Sequence, residues 1–339
     1  MGQVVSVKVA IVSDFREGYD VALEACYARA FKQLGADVNC VSVRQLVGEC
    51  RGKVGLLTAS ARAMIAEPRV RAEVFAGSPD VVILVKATSV LARSVRRWRS
   101  AGLQVINVFP DNPFECMAIG GAGASLLEQF RACNRVFVHD RFAAGQLRQL
   151  GVQSEFLTFA RDPSLHHPYV AVDPVPHPPN IAFVGNPDPE RVTFLRAVAD
   201  LGLGLWGHWD WANLSATDPL VRCVRGPDQM GHDMVRCLRG ALLSINILRK
   251  SQKTAHNMRT FESPACGVCT LSERTNGVLE LMKDGVEVVT FSTPVELRGA
   301  AIALLSDQSR RHAVADAGWA RVQPETYEAR AKELMSYMT

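Results

Sequence analysis

The feature that most constrains the fold is the run DVVILVK at residues 80–86, where five consecutive apolar residues stand between Asp80 and Lys86. A strand with one wet face alternates apolar and polar residues. A short unbroken run of branched residues reads instead as a strand buried on both faces, the signature of a parallel sheet covered by helices on each side. The flanking sequence repeats that logic. Strand patterns occur at 7–12, 36–43, 104–109 and 135–139, and helical ones at 21–34, 89–101 and 142–150. Residues 44–75 are helix-rich. This alternation predicts an α/β fold with an open, doubly wound parallel sheet. Ligands in such sheets bind beyond the carboxyl ends of the strands, so Asp14, Lys86, Asp111 and His139 fall on the functional rim.

The first βα loop, Ser13-Asp14-Phe15-Arg16-Glu17-Gly18, lacks G-x-G-x-x-G, which argues against a dinucleotide-dependent dehydrogenase. Asp14, Asp111 and His139 are the catalytic candidates. Each has a plainer reading: Asp14 as a helix cap or turn residue, Asp111 as a turn former between two prolines, His139 as a structural residue at a strand end. Asp140 does not orient His139, because neighbouring strand residues point to opposite faces.

Residues 161–180 contain six prolines and three histidines, a composition that excludes helix and reads as an extended linker. The strand–helix pattern then restarts, with strands at 180–184, 204–207, 222–226, 243–247, 268–271 and 287–291. Two domains are expected for 339 residues. The boundaries predicted are 1–170, 171–322 and a closing helical segment 323–339. Thr293-Pro294-Val295-Glu296 is a capping box with proline at the first helical position.

The chemistry concentrates at 243–271, LSINILRKSQKTAHNMRTFESPACGVCTL. Between its two strands lies a polar loop with Arg249, Lys250, Lys253, His256, Asn257 and Arg259, feeding a short helix around Glu262 that stops at Gly267. Positive side chains where a strand meets a helix amino end make a phosphate seat. Glu262 cannot hold phosphate and suits hydroxyl groups such as those of a ribose. The alternative is an ordinary βαβ connection with a solvated basic loop. Gly185 and Arg191, after the 180–184 strand, make a similar turn in which glycine permits close backbone approach.

The string NMRTFESPACG resembles the N-x-R-x-F-E-x-x-A-C-G run of CgeB-like (spore-maturation type) glycosyltransferases, which have the GT-B fold. F-V-G-x-x-x-x-x-R at 183–191, Asp111-Asn112-Pro113 and Trp206-Gly207 are similar to further elements of that family. The resemblance implies two Rossmann-like domains facing across a cleft, a C-terminal helix crossing back, and hexosyl transfer from a nucleotide sugar. Gly185, Arg191, Trp206, Arg249, Lys253, Asn257, Arg259 and Glu262 would then bind the donor, with Trp206 beside the base or packed in the sheet and Glu262 on the ribose. Many retaining members carry a second glutamate eight residues before the Glu262 position. Here that place is Thr254, so retention of configuration is not implied.

Composition narrows the partners. A net charge of +4 is too small for a nucleic-acid binder, and no apolar run reaches membrane-spanning length. Nine cysteines behind an N-terminus without signal-peptide features suggest reduced thiols and a cytoplasmic location. Cys266-x-x-Cys269 lacks a second pair, and His166, His167 and His177 lack a rigid spacing, so neither the thiols nor the histidines predict a metal site. The expected partners are a nucleotide-sugar donor, needing no metal or other cofactor, and a glycan, protein or small-molecule acceptor. A sugar-nucleotide epimerase and a non-catalytic sugar- or nucleotide-binding subunit are the alternatives.

Overall fold

The computed structural model describes residues 7–13, 15, 22–49, 59–118, 123–252 and 254–338. They form two compact units: residues up to Thr158 together with Tyr327–Thr339, and Phe159–Thr326. The division therefore falls upstream of the proline-rich span.

The first unit holds a six-stranded sheet of β1 (Lys8–Ser13), β2 (Asp37–Ser42), β3 (Val81–Val85), β4 (Gln104–Phe109), β5 (Arg135–Val138) and β6 (Ser154–Phe156), in the order β2-β1-β3-β4-β5-β6. Every pairing is parallel. All five residues of β3 are buried, as its composition requires of a strand covered on both faces. The helix Ala92–Ser100 buries Trp98 and turns its arginines outward, where Arg97 meets Glu67 at 3.1 Å. Helices Pro113–Ala118 and Gly123–Ala132 were not evident from periodicity, and the second sets Phe130 edge-on to Phe109, centroids 5.1 Å apart. The helix Tyr327–Met335 packs within this unit against Leu23–Gln33, with Tyr327 edge-on to Tyr27 at 5.4 Å.

The second unit repeats the plan with β7 (Ile181–Val184), β8 (Leu203–Trp206), β9 (Val224–Gly226), β10 (Leu243–Asn246), β11 (Cys269–Glu273) and β12 (Val289–Phe291), in the order β12-β11-β10-β7-β8-β9, again all parallel. The helix Pro294–Ser306 begins as its capping signature predicts: Thr293 Oγ1 accepts from the Glu296 amide at 3.2 Å. Glu296 reaches back one residue further than expected, to the Ser292 amide at 2.7 Å.

The proline-rich span contains no helix, but its first part is no solvated linker. Arg161 donates to the carbonyls of Val322 (3.0 Å), Gln323 (3.0 Å) and His166 (3.2 Å), all in the second unit. Asp162 and His166 are buried beside it. A composition rule sees the prolines and cannot see the carbonyls that an arginine finds more than a hundred residues away.

Candidate functional site

The carboxyl edge of the second sheet carries Gly185, Arg191, Arg249, Arg259 and Glu262, which the sequence marked as candidates for a phosphate or donor seat. β7 runs into Gly185 and β8 into Gly207, and the two turns touch through their backbones. Gly207 has φ of +150°, and a Cβ built there would lie 2.3 Å from the Gly185 carbonyl oxygen, so no side chain fits. Gly185 in turn lies under the Phe183 ring, which a Cβ would approach to 3.2 Å. Trp206 is buried, with its ring beside Gly204 and Gly226.

Arg191 sits in the first turn of the helix Pro189–Arg196. Asp188 caps that helix, accepting from the amides of Glu190 (3.0 Å) and Arg191 (2.9 Å), so its own carboxylate already occupies the positive helix end. The Arg191 guanidinium is buried. It donates to the Ile247 carbonyl twice (3.1 and 2.8 Å) and to the Asn186 carbonyl (2.9 Å), tying the turns after β7 and β10 together. Burial pulls its pKa down to about 10, with Arg249 and Arg259 adding to the fall and Asp188 opposing it. Three guanidinium groups therefore share one field at this edge. Arg249 is exposed.

The helix Arg259–Ala265 brings Arg259 and Glu262 onto one face, three residues apart, and their side chains pair at 2.6 Å. The Glu262 carboxylate is buried, while the Arg259 side chain keeps 20% exposure and also reaches Met234 Sδ and the Val184 carbonyl. Asn257 is partly exposed and hydrogen-bonded within the protein: it exchanges amide hydrogen bonds with Asn246 (2.8 and 3.0 Å) and accepts from the Thr260 amide at 3.1 Å. Lys253 and Asp14 lie outside the described residues.

In the first unit, Asp111 follows β4 and pairs at 2.5 Å with Lys86, which follows β3 in a left-handed conformation at φ of +60°. Asn112 caps the next helix through the Phe114 amide at 2.9 Å. His139 is buried, and its Nδ1 hydrogen-bonds the Leu157 carbonyl, so Nδ1 carries the proton. Burial drives its pKa to about 3 despite that bond. At neutral pH the ring is uncharged and a very weak base.

Residues 191–336 match the glycosyl transferase-like family model. That stretch contains Arg191, Arg259 and Glu262. No curated protein sequence matches the chain. Among solved structures, the chain is similar to HepE of Anabaena in complex with UDP, at 11% identity over 98% of this chain and 99% of that one, with a TM-score of 0.66. It is similar to sucrose-phosphate synthase of Thermosynechococcus elongatus at 13% identity over 98% of both chains, TM-score 0.67. A candidate UDP-N-acetylglucosamine 2-epimerase of Listeria monocytogenes is similar at 13% identity over 98% and 96% of the two chains, TM-score 0.64. At such identities the likeness is one of fold: two Rossmann-like units of the GT-B kind, as the sequence led us to expect.

Three further residues near this edge are placed by the fold in ways the sequence did not show. Glu273, at the end of β11, accepts from the Leu248 amide at 3.0 Å and shapes the basic loop. His256, counted by sequence among the polar loop residues, is fully buried, and its Nε2 accepts from the Phe159 amide at 3.0 Å. His166 is buried with Nδ1 accepting from the Asp162 amide at 3.0 Å, so its proton is on Nε2, which has no partner among the described residues. Burial lowers its pKa, opposed first by the field of Glu262. Among the described residues no helix is long and apolar enough to cross a membrane, and no group of three His, Cys, Asp or Glu side chains is placed to hold a metal ion.

Proposed function

We propose that the chain is a glycosyltransferase that moves a hexose from a nucleoside-diphosphate sugar to a hydroxyl group on a glycan, protein or small molecule, without a metal ion. The observation that carries this reading is the Arg259–Glu262 pair, its carboxylate buried and its guanidinium partly exposed at the carboxyl edge, within the segment that matches the glycosyl transferase-like model. A leaving nucleoside diphosphate gathers negative charge on its phosphates as the glycosidic bond breaks. Guanidinium groups already fixed in a low-dielectric edge stabilise that charge without reorganising. Arg259, fixed by its pair with Glu262, is the group assigned to that role, and the exposed Arg249 adds charge at the rim, while Arg191, spent on backbone carbonyls, holds the turns that position them. Glu262 accepts from the ribose hydroxyls. The NMRTFESPACG string supports the CgeB-like subtype, and the UDP complex of HepE makes a uridine diphosphate sugar the first donor to try. Asp111 is the acceptor-side carboxylate assigned to deprotonate the hydroxyl; at its depressed pKa, His139 is better suited to shaping the rim.

A panel of nucleoside diphosphates and their sugars, with and without EDTA, tests this by thermal shift, since a ligand of the folded state raises the midpoint by mass action. We expect one nucleotide to stabilise the protein regardless of EDTA, and Glu262→Ala to abolish the shift. No shift with any member would overturn the donor site. The epimerase reading shares the fold, and the two are separated by solvent deuterium at C2 of the recovered donor sugar, which a transferase leaves unlabelled.

A further inference from the structure

The opposite edge of the second sheet has a recess of its own. It holds about 270 Å³ and is floored by Leu242, just before β10, and by Val268 and Cys269 at the start of β11. Its walls are Arg239, at the end of the helix Gly231–Arg239, and Arg311 with His312 from the helix Gln308–Arg321. No aspartate or glutamate lines it.

Several arginines in this chain pair with carboxylates, as Arg97 does with Glu67, Arg196 with Asp218 and Arg298 with Asp200, while others, such as Arg161 and Arg148, are spent on backbone carbonyls. The two arginines of the recess belong to the second group. Arg311 is buried, yet it meets no carboxylate among the described residues. Its Nη1 donates to the carbonyls of Leu304 (2.8 Å) and Leu305 (3.3 Å). Arg239 likewise spends Nη1 on the Val170 carbonyl and forms no ion pair among the described residues. Each guanidinium has five N–H donors. Most of both forks are thus left for something else, and a buried cation without a counter-charge is costly.

We propose that this recess binds a small phosphate monoester. Two planar forks and an imidazole match a phosphate dianion, which accepts paired N–H bonds. The cavity exceeds the phosphate group, and Leu242 and Val268 offer apolar surface to a short carbon skeleton. Burial pushes the Cys266 and Cys269 thiols up to about 12, so both present neutral surface to the recess. The site stands apart from the donor site and does not depend on that reading. The short helix Arg259–Ala265 nevertheless joins them, with Glu262 at the donor edge and its C-cap, Cys266, in the recess wall.

Titration calorimetry of the full chain with glycerol 3-phosphate, inorganic phosphate and glycerol tests the proposal. We expect saturable binding of glycerol 3-phosphate, tighter than inorganic phosphate, and none of glycerol. Arg239→Gln and Arg311→Lys should each weaken it by about tenfold or more, while Arg259→Ala leaves it unchanged. Arg311→Lys risks the fold, but the Arg239 side chain is only half-buried and its variant decides the matter alone. The proposal is overturned if glycerol 3-phosphate fails to saturate by about 10 mM. It also fails if inorganic phosphate binds as well as the ester, or if affinity survives Arg239→Gln and is lost in Arg259→Ala.

Discussion

Replacing Gly207 by alanine tests how closely the turns after β7 and β8 are fitted. The new Cβ would stand 2.3 Å from the Gly185 carbonyl oxygen and 2.8 Å from its carbon, so a backbone must move rather than a side-chain tip. The Gly185 amide is bonded to the Trp206 carbonyl at 2.9 Å, which ties the obstacle to the same strand end and leaves little slack. Overpacking of this kind costs about 1–3 kcal/mol. Holding a non-glycine residue at φ of +150° adds about 1–3 kcal/mol more. The total, about 2–6 kcal/mol, is a large share of a domain's stability. For a unit of this size the midpoint should fall by roughly 5–20 °C in a calorimetric or circular-dichroism melt. Gly299→Ala is the matched control. Gly299 is exposed within the helix Pro294–Ser306 and nothing lies within 4 Å of its built Cβ, so alanine there should be neutral or stabilising by up to about 1 kcal/mol. If Gly207→Ala melts within about 2 °C of the parent, or Gly299→Ala falls as far, the packing argument is wrong.

Other outcomes follow from the same contacts. His139 has a folded pKa near 3, below its unfolded value of about 6.5, so the unfolded chain takes the proton first. Its contribution is whole above about pH 6.5 and drains as the pH falls towards 3, costing roughly 2 kcal/mol by pH 5. Urea unfolding at pH 7 and pH 5 should show this increment in the parent and not in His139→Gln; an equal pH dependence in both would remove His139 as its source. Arg191→Met should cost the second unit about 3 kcal/mol through its lost carbonyl bonds, and Arg191→Lys should not rescue it, since one ammonium cannot reproduce the fork. A urea midpoint restored by lysine would contradict this. Thiol labelling followed by mass spectrometry should find the exposed Cys40 modified early, and the buried Cys133, Cys266 and Cys269 only as the protein unfolds. Early labelling of Cys266 would mean that the recess wall opens in the native state.

Much of the fold was legible because it is written in local periods. The apolar run at 81–85 became a strand buried at every residue, and Thr293 with Pro294 started a helix where they stand in the chain. The strand Ser154–Phe156 escaped notice because three residues, two of them polar, carry no period. The site was partly legible for the same reason. Arg259 and Glu262, three apart on a helix, had to share a face, and they pair. Their spacing is a property of the backbone.

Which polar groups are spent, and on what, is decided by tertiary contacts. Arg191 reads in sequence as a free charge. In the fold it is committed to the Ile247 carbonyl, 56 residues away. Asn257 reads as a ligand contact, and in the fold its side-chain amide bonds Asn246 and the Thr260 amide. His166 reads as part of a linker and lies buried within the field of Glu262. The sequence by itself determined the two parallel sheets and the helical spacing that sets Arg259 beside Glu262, because alternation and helical spacing depend on neighbours in the chain. Only the tertiary structure decided which cations remain available to a ligand, because burial and hydrogen-bond partners come from residues that are neighbours in space alone.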